Sequence, residues 1–351
     1  MRLSGRRITN TCLVQPCLQN KNKRTGDQEV SYKMVQAKNV IFVQLSSCWG
    51  CHQSLIDLYE KLVDVLPALN IKYWPAVVDF KEKDLESLPE KSIDAGFVEG
   101  TTRTENDIRL LKLARSKSKS LISYGTCSTY GGVYALANLS TREELLKRKY
   151  EEAESLSNRG TPSGDLPKIT SSIRRNDERV KFDLYLPGCP PTTDNIAAAV
   201  TALIQGKPVI VYEKTVCDEC ERNKEEKKCV KKFKRRFEGT TDPVKCLLNE
   251  GYLCLGPGTR AGCGAQCPMN ANLPCDGCYG PPPGVIDQGA RLLSAIASIA
   301  DMSPEELDKE ISDPLGQFYR FTFAYGLIRK SVKTYIDEIG NESSTEKEED
   351  A

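Results

Sequence analysis

Val40-Ile-Phe-Val-Gln-Leu-Ser-Ser-Cys-Trp-Gly-Cys-His-Gln-Ser-Leu55 is the stretch on which the fold turns. Val40 to Leu45 is a short apolar run, the pattern of a strand buried on both faces of a parallel sheet. Paired serines end it, Cys48 and Cys51 follow with two residues between them, and a helix is predicted from about His52 to Leu66. Outward from this unit the alternation repeats. Strands are predicted at Ile71 to Asp79, Ala95 to Val98, Leu121 to Tyr124 and Phe182 to Leu186, and helices at Glu105 to Arg115 and Thr193 to Gln205. Such βαβ rhythm predicts an α/β fold with a parallel sheet covered on both faces.

The apolar pattern changes near residue 205, which predicts a domain boundary. Residues 1–36 are rich in Lys, Arg, Asn and Gln with little periodicity and read as a flexible extension. Residues 37–205 read as the sheet domain, interrupted by a charged insertion without cysteine from Thr141 to Arg179. Residues 206–330 offer few strands, many Gly and Pro, and nine cysteines, so apolar burial alone is not expected to hold them and cofactors are expected to serve as their core. Residues 331–351 read as a charged tail.

Across 351 residues, 49 Lys and Arg nearly balance 48 Asp and Glu, so no long-range field recruits nucleic acid or an anionic membrane. Arg6-Arg7 precedes no apolar segment suited to export, and no run of apolar residues is long enough to span a bilayer. A cytoplasmic, thiol-reducing location is expected. Fifteen cysteines against one histidine is the unusual feature. Disulfide frameworks belong to short secreted chains that lack a core, which leaves zinc or iron-sulfur ligation.

Cys48, Cys51, Cys127 and Cys189 are distant in sequence, but each follows the C-terminal end of a predicted strand. In an open parallel sheet those ends share one crevice, where four thiolates can converge. Taken singly, Cys127 and Cys189 also suit burial as small apolar residues, and a lone CxxC suits a redox dithiol. A second set is Cys217, Cys220, Cys246 and Cys254, and a third is Cys263, Cys267, Cys275 and Cys278, eight candidate ligands in 62 residues. Zinc is the rival here, since paired CxxC motifs make a four-thiolate ribbon and the basic run Lys227 to Arg236 then suits nucleic acid. The Gly and Pro lattice around the third set favours close backbone approach and amide donors toward cluster sulfur. Cys229 lies in the basic run as a spare thiol or as a substitute for Cys246.

From about Val40 to Lys330 the chain resembles the small, iron-sulfur (gamma) subunit of cytoplasmic nickel-iron hydrogenases, most closely the methyl-viologen-reducing, deazaflavin-non-reducing type of methanogenic archaea. The matching strings are Cys-Trp-Gly-Cys-His-Gln-Ser-Leu from Cys48, Tyr-Gly-Thr-Cys ending at Cys127, and Leu-Pro-Gly-Cys-Pro-Pro from Leu186. Further on stand Cys-Leu-Gly-Pro-Gly-Thr-Arg-Ala-Gly-Cys-Gly-Ala-Gln-Cys-Pro from Cys254 and Pro-Cys-Asp-Gly-Cys-Tyr-Gly-Pro from Pro274. The resemblance implies a flavodoxin-like doubly wound sheet followed by a loop-rich cluster-binding domain with three 4Fe-4S clusters. Cys48, Cys51, Cys127 and Cys189 would hold the proximal cluster, Cys263, Cys267, Cys275 and Cys278 the medial, and Cys217, Cys220, Cys246 and Cys254 the distal. It further implies a nickel-iron site on a separate large subunit, so that this chain carries no catalytic residue. Downstream it implies an iron-sulfur adaptor (delta) subunit, heterodisulfide reductase and ferredoxin, with neither nucleic acid nor membrane as partner.

Two positions depart from periplasmic and membrane-associated relatives. Those commonly place histidine where this chain has Cys217, and proline, with a three-iron medial cluster, where it has Cys267. Imidazole in place of thiolate raises a cluster's potential, so all-thiolate ligation is expected to keep these clusters low. His52 is expected to bond a cluster sulfur or the large subunit, or else to hold the helix start. Glu99 is expected at the large-subunit interface. The competing functions are a zinc-containing nucleic-acid module and the cluster subunit of a quinone-reducing respiratory complex, which predicts a tandem Cys-Cys and no second domain.

Overall fold

Five strands, β1 (Lys38–Gln44), β2 (Leu69–Tyr73), β3 (Ile93–Glu99), β4 (Ser118–Tyr124) and β5 (Leu184–Leu186), pair in parallel in the order β2-β1-β3-β4-β5. This is the flavodoxin-like doubly wound order, with its topological switch between β1 and β3. The computed structural model describes residues 37–339 apart from Ser163, Ile210, Val211 and residues 226–228. Expectations for residues 1–36, with Arg6-Arg7, and for residues 340–351 of the charged tail lie outside that range. The described residues belong to one compact unit.

Alternation along β1 sorts its side chains between two cores. Val40 and Phe42 join Phe97, Ile122 and Tyr124 under the helices Gly50–Ile56 and Thr193–Gln205, which contribute Leu55, Ile196, Ala199 and Val200. Ile41 and Val43 join Ile93, Val98 and Leu121 under the helix Glu105–Lys117, which contributes Leu110, Leu111 and Ala114 at helical spacing. Helices on both faces make the central strands apolar on both, as the quoted run predicts. Thr104 starts the Glu105–Lys117 helix with a capping box, its hydroxyl accepting from Asp107 N at 3.1 Å while Asp107 Oδ2 accepts from Thr104 N at 2.7 Å. The same carboxylate accepts from Ser46 Oγ at 2.8 Å, fixing the loop that leaves β1.

Several predicted elements differ. The helix from His52 to Leu66 is two short helices, Gly50–Ile56 and Glu60–Val65, because Tyr59 at φ 50° cannot continue a right-handed turn. The strand from Ile71 ends at Tyr73, since Trp74 precedes Pro75 and the chain turns there. The charged tail begins as a helix over 332–339, started by Ser331, whose hydroxyl accepts from Thr334 N at 3.2 Å.

Residues 206–330 also bury an apolar cluster of their own. Val230, Phe233, Leu248, Leu253, Leu255, Leu292, Ile296 and Phe318 pack around the helix Gln288–Ile299. That amphipathic helix was obscured in the sequence by the Gly and Pro density around it. Buried Gln288 stitches it down, donating to the Gly277 carbonyl at 3.1 Å and accepting from Thr322 Oγ1 at 3.0 Å. Among the described residues no helix is long and apolar enough to cross a membrane.

Leu121 is fully buried at the centre of β4. Leu121→Ala is expected to lower unfolding free energy by about 2–5 kcal/mol, measured by urea denaturation of the chain.

Candidate metal centres

Gln44, Glu99, Tyr124 and Leu186 are partners in register across β1, β3, β4 and β5, so four strand ends finish level. Cys48, Cys127 and Cys189 each follow within a few residues of that row, and Cys51 opens the helix Gly50–Ile56. The structure brings these four thiols together: Cys51 is within electrostatic reach of Cys48, Cys127 and Cys189. Two glycines leave room for the sulfurs. A Cβ at Gly125 would fall on Cys51 Sγ, and one at Gly132 on Cys127 Sγ; both residues also hold positive φ.

Burial, reinforced by neighbouring sulfurs, raises these thiols: Cys51 far above its ordinary value, Cys127 to about 12 and Cys189 to about 11. Ionising thiols buried and packed this closely needs a compensating cation, which a bound metal would supply.

Glu99, at the end of β3, is 1% exposed, which corrects its expected place at the large-subunit interface. Its Oε2 accepts from the His52 backbone N–H at 3.2 Å, and the N–H groups of Trp49 and Cys51 and the Ser47 hydroxyl turn toward the carboxylate. The carboxylate therefore organises the Cys48–Cys51 turn from inside the protein. Burial raises its pKa against the lowering effect of those donors. His52 is fully buried with its Nδ1 accepting from Trp74 Nε1 at 3.2 Å, which assigns the ring proton to Nε2. Nε2 lies 3.1 Å from Glu99 Oε2 without an aligned hydrogen bond. Burial lowers the His52 pKa to about 4, so the imidazole is neutral. The structural reading of His52 is the one the contacts favour.

The third set is likewise assembled. Cys263 lies within electrostatic reach of Cys267, and Cys275 and Cys278 of each other and of Cys267. Backbone amides face the sulfurs: Ala265 and Gln266 toward Cys263, Gly277 toward Cys275, and Cys189 toward Cys278. Of the second set, Cys217, Cys220, Cys246 and Cys254 line one cavity of about 230 Å³. Cys229 does not line it; it is exposed, and its sulfur accepts from Asn249 Nδ2 at 3.3 Å. Burial raises Cys217 to about 12 and Cys254 to about 11, the latter opposed by amides of Gly256 and Cys275. Among the described residues no three His, Cys, Asp or Glu close on a point that would hold a single metal ion.

Sequence reasoning missed the groups that lock these loops together. Glu219, inside the Cys217–Cys220 turn, accepts from Gly262 N at 2.8 Å and Gly264 N at 3.0 Å, tying the second set to the third. Arg222 is buried and donates to the carbonyls of Pro268 (2.8 Å), Asp242 (2.5 Å) and Lys245 (2.9 Å). Thr126 Oγ1 accepts from Gly188 N at 2.9 Å and donates to the Cys278 carbonyl at 2.5 Å, joining two strand-end loops to the third set. Glu219 had a signal in its place between two candidate ligands. Arg222 and Thr126 had none, because their partners, mostly backbone groups, are distant in sequence.

The all-sulfur donor sets, the glycine cradles and the amides aimed at sulfur fit iron-sulfur clusters in chemistry. Comparison with known proteins bears on the class. Residues 48–203 match the family described as NADH ubiquinone oxidoreductase, 20 Kd subunit. A solved NAD+-reducing [NiFe]-hydrogenase chain is 25% identical with a TM-score of 0.46, covering 50% of this chain and 95% of its own. A subunit of the F420-non-reducing hydrogenase vhu of Methanococcus voltae is 45% identical over 290 residues, spanning 82% of this chain and 96% of that protein. Its namesake from Methanocaldococcus jannaschii is 42% identical over 298 residues, spanning 85% and 99%. The protein is thus an oxidoreductase subunit of the hydrogenase class. It belongs to the family of these F420-non-reducing hydrogenase subunits.

Glu99→Gln places an amide NH₂ among backbone donors. A loss of about 1–3 kcal/mol is expected in urea unfolding of the chain, whereas Asp57→Asn, just past the helix Gly50–Ile56 where the carboxylate accepts only from Gln53 Nε2, should be nearly neutral.

Proposed function

We propose that this chain is the electron relay of a nickel-iron hydrogenase complex, carrying electrons through three 4Fe-4S clusters held by the twelve cysteines named above. One observation carries the reading: the three cysteine sets are joined in series. The Cys189 amide faces the Cys278 sulfur, and the Cys275 N–H donates to Cys254 Sγ at 3.3 Å. A path therefore runs from strand ends to the third set and on to the second through directly touching ligand residues.

When bound, such clusters supply one-electron carriers whose potential depends on ligand type and on hydrogen bonds to sulfur. The chain's own residues do the rest. Glu99 and Gly125 shape the first turn, Thr126 and Glu219 hold adjacent sets at fixed spacing, and the amides of Gly256, Ala265, Gln266 and Gly277 face sulfur negative charge. Cys217 and Cys267 complete all-thiolate sets suited to low potential.

The nickel-iron centre is assigned to a large subunit approaching from the Cys48 side, since Cys48 is the exposed member of the first set. The Cys217 set is assigned as the exit, toward an iron-sulfur adaptor subunit and then heterodisulfide reductase and ferredoxin in a reducing cytoplasm. The sequence strings from Cys48 and Cys254 support these partners.

Anaerobic analysis is expected to find about twelve irons and twelve acid-labile sulfides per chain. Cys246→Ser should disturb roughly a third of the cluster signal in EPR of the reduced protein, and Cys229→Ser none. Stoichiometric zinc without sulfide would overturn the relay. In Cys267→Pro, conversion of one cluster to a three-iron centre of higher potential is the expected outcome; an unchanged four-iron centre would remove Cys267 from the medial set.

A further inference from the structure

The helix over 332–339 is mounted inside out. Toward the body of the protein it turns Thr334 and Glu338, both buried, one turn apart. The Thr334 hydroxyl donates to the carbonyls of Asn138 at 2.9 Å and Ser140 at 3.1 Å. Glu338 accepts from Ser172 Oγ at 3.1 Å and pairs with Arg174 and Lys330. Away from the body it turns Val332, Tyr335, Ile336 and Ile339, at i, i+3, i+4 and i+7, each more than half exposed. A helix that docks on its own domain ordinarily buries that stripe. Here the polar side is fixed by specific bonds and the apolar stripe faces outward.

Leu327 and Ile328, just upstream, are also more than half exposed, as is Ile286, next to the Asp287 that accepts from Leu327 N at 2.8 Å. The apolar surface is of the order of several hundred Å², at or above the largest patch a monomeric soluble protein leaves in water. It continues toward the first cysteine set. Asn138, which holds the helix, belongs to the segment Val133–Leu139, whose Val133, Tyr134 and Leu139 are exposed. That segment starts directly after Gly132, which lies against Cys127 Sγ, and Trp49 beside Cys48 is exposed as well.

We infer that this belt, from Trp49 across Val133–Leu139 to the outward stripe of helix 332–339, is the seat of the hydrogenase large subunit. The inference rests on the proposed relay, which requires that subunit to lie against the Cys48 side; the helix is tied to that side through Asn138 and the Val133–Leu139 segment, which follows Gly132 beside Cys127. The belt's apolar character suits a permanent association rather than a transient encounter.

The test uses the full chain co-expressed with the large subunit. Val332→Glu and Ile336→Glu change exposed side chains outside every cysteine set. Retention of the large subunit is expected to weaken about tenfold or more in each, with iron and sulfide per chain and thermal midpoint at wild-type values. In the wild-type complex, amides of 327–339 should exchange hydrogen more slowly than in the free chain. Unchanged retention in both variants, with unchanged exchange, overturns the inference. A free chain that dimerises, loses the dimer on Ile336→Glu and still binds the large subunit normally makes the belt a self-interface, which also overturns it. A chain that binds the large subunit through this belt but lacks iron and sulfide refutes the relay and leaves the docking surface standing.

Discussion

The level finish of four parallel strands is the constraint on which the rest of the molecule depends. Parallel pairing fixes Gln44, Glu99, Tyr124 and Leu186 in one row, and the next few residues of each strand then emerge into the same crevice. One residue of slip in β4 would exchange its two buried faces, moving Leu121 and Ile122 into the wrong cores. The apolar packing under both helical layers thus also sets the relative positions of Cys48, Cys51, Cys127 and Cys189. Precision at the thiols comes from burial well below them.

Around the row, charge is managed without exposed counterions. Glu99 sits where backbone N–H groups of the Cys48–Cys51 turn converge, and His52 stays neutral because burial disfavours its cation. The thiols carry the opposite tension, since burial and mutual repulsion both disfavour the thiolate. Amides aimed at sulfur relieve part of it, and a cationic cofactor core would relieve the remainder. The polar design and the sulfur-rich donor sets are parts of one electrostatic solution.

The region after residue 205 uses a mixed strategy. Its apolar cluster around Leu292 and Ile296 gives it a core, while Arg222, Glu219 and Gln288 hold loops that lack regular pairing. These are side-chain bonds to backbone groups, which satisfy amides and carbonyls that no sheet or helix serves. The same logic fastens helix 332–339 by Thr334 and Glu338 and leaves its apolar stripe free.

The sequence by itself determined the parallel-sheet class and the strand-end placement of the first four cysteines. Those features are written in local periodicity and spacing, which act over a few residues. It misread the helix from His52 to Leu66 because a single positive φ at Tyr59 leaves no mark on apolar spacing. It placed Glu99 at a subunit interface because a carboxylate at a strand end looks exposed until the Trp49–His52 turn folds over it. Only tertiary structure decided that Cys246, and not Cys229, lines the cavity with Cys217, since both are near enough in sequence. Only tertiary structure turned the final helix inside out, because which face is buried depends on the Asn138, Ser140 and Ser172 partners that long-range folding brings to it.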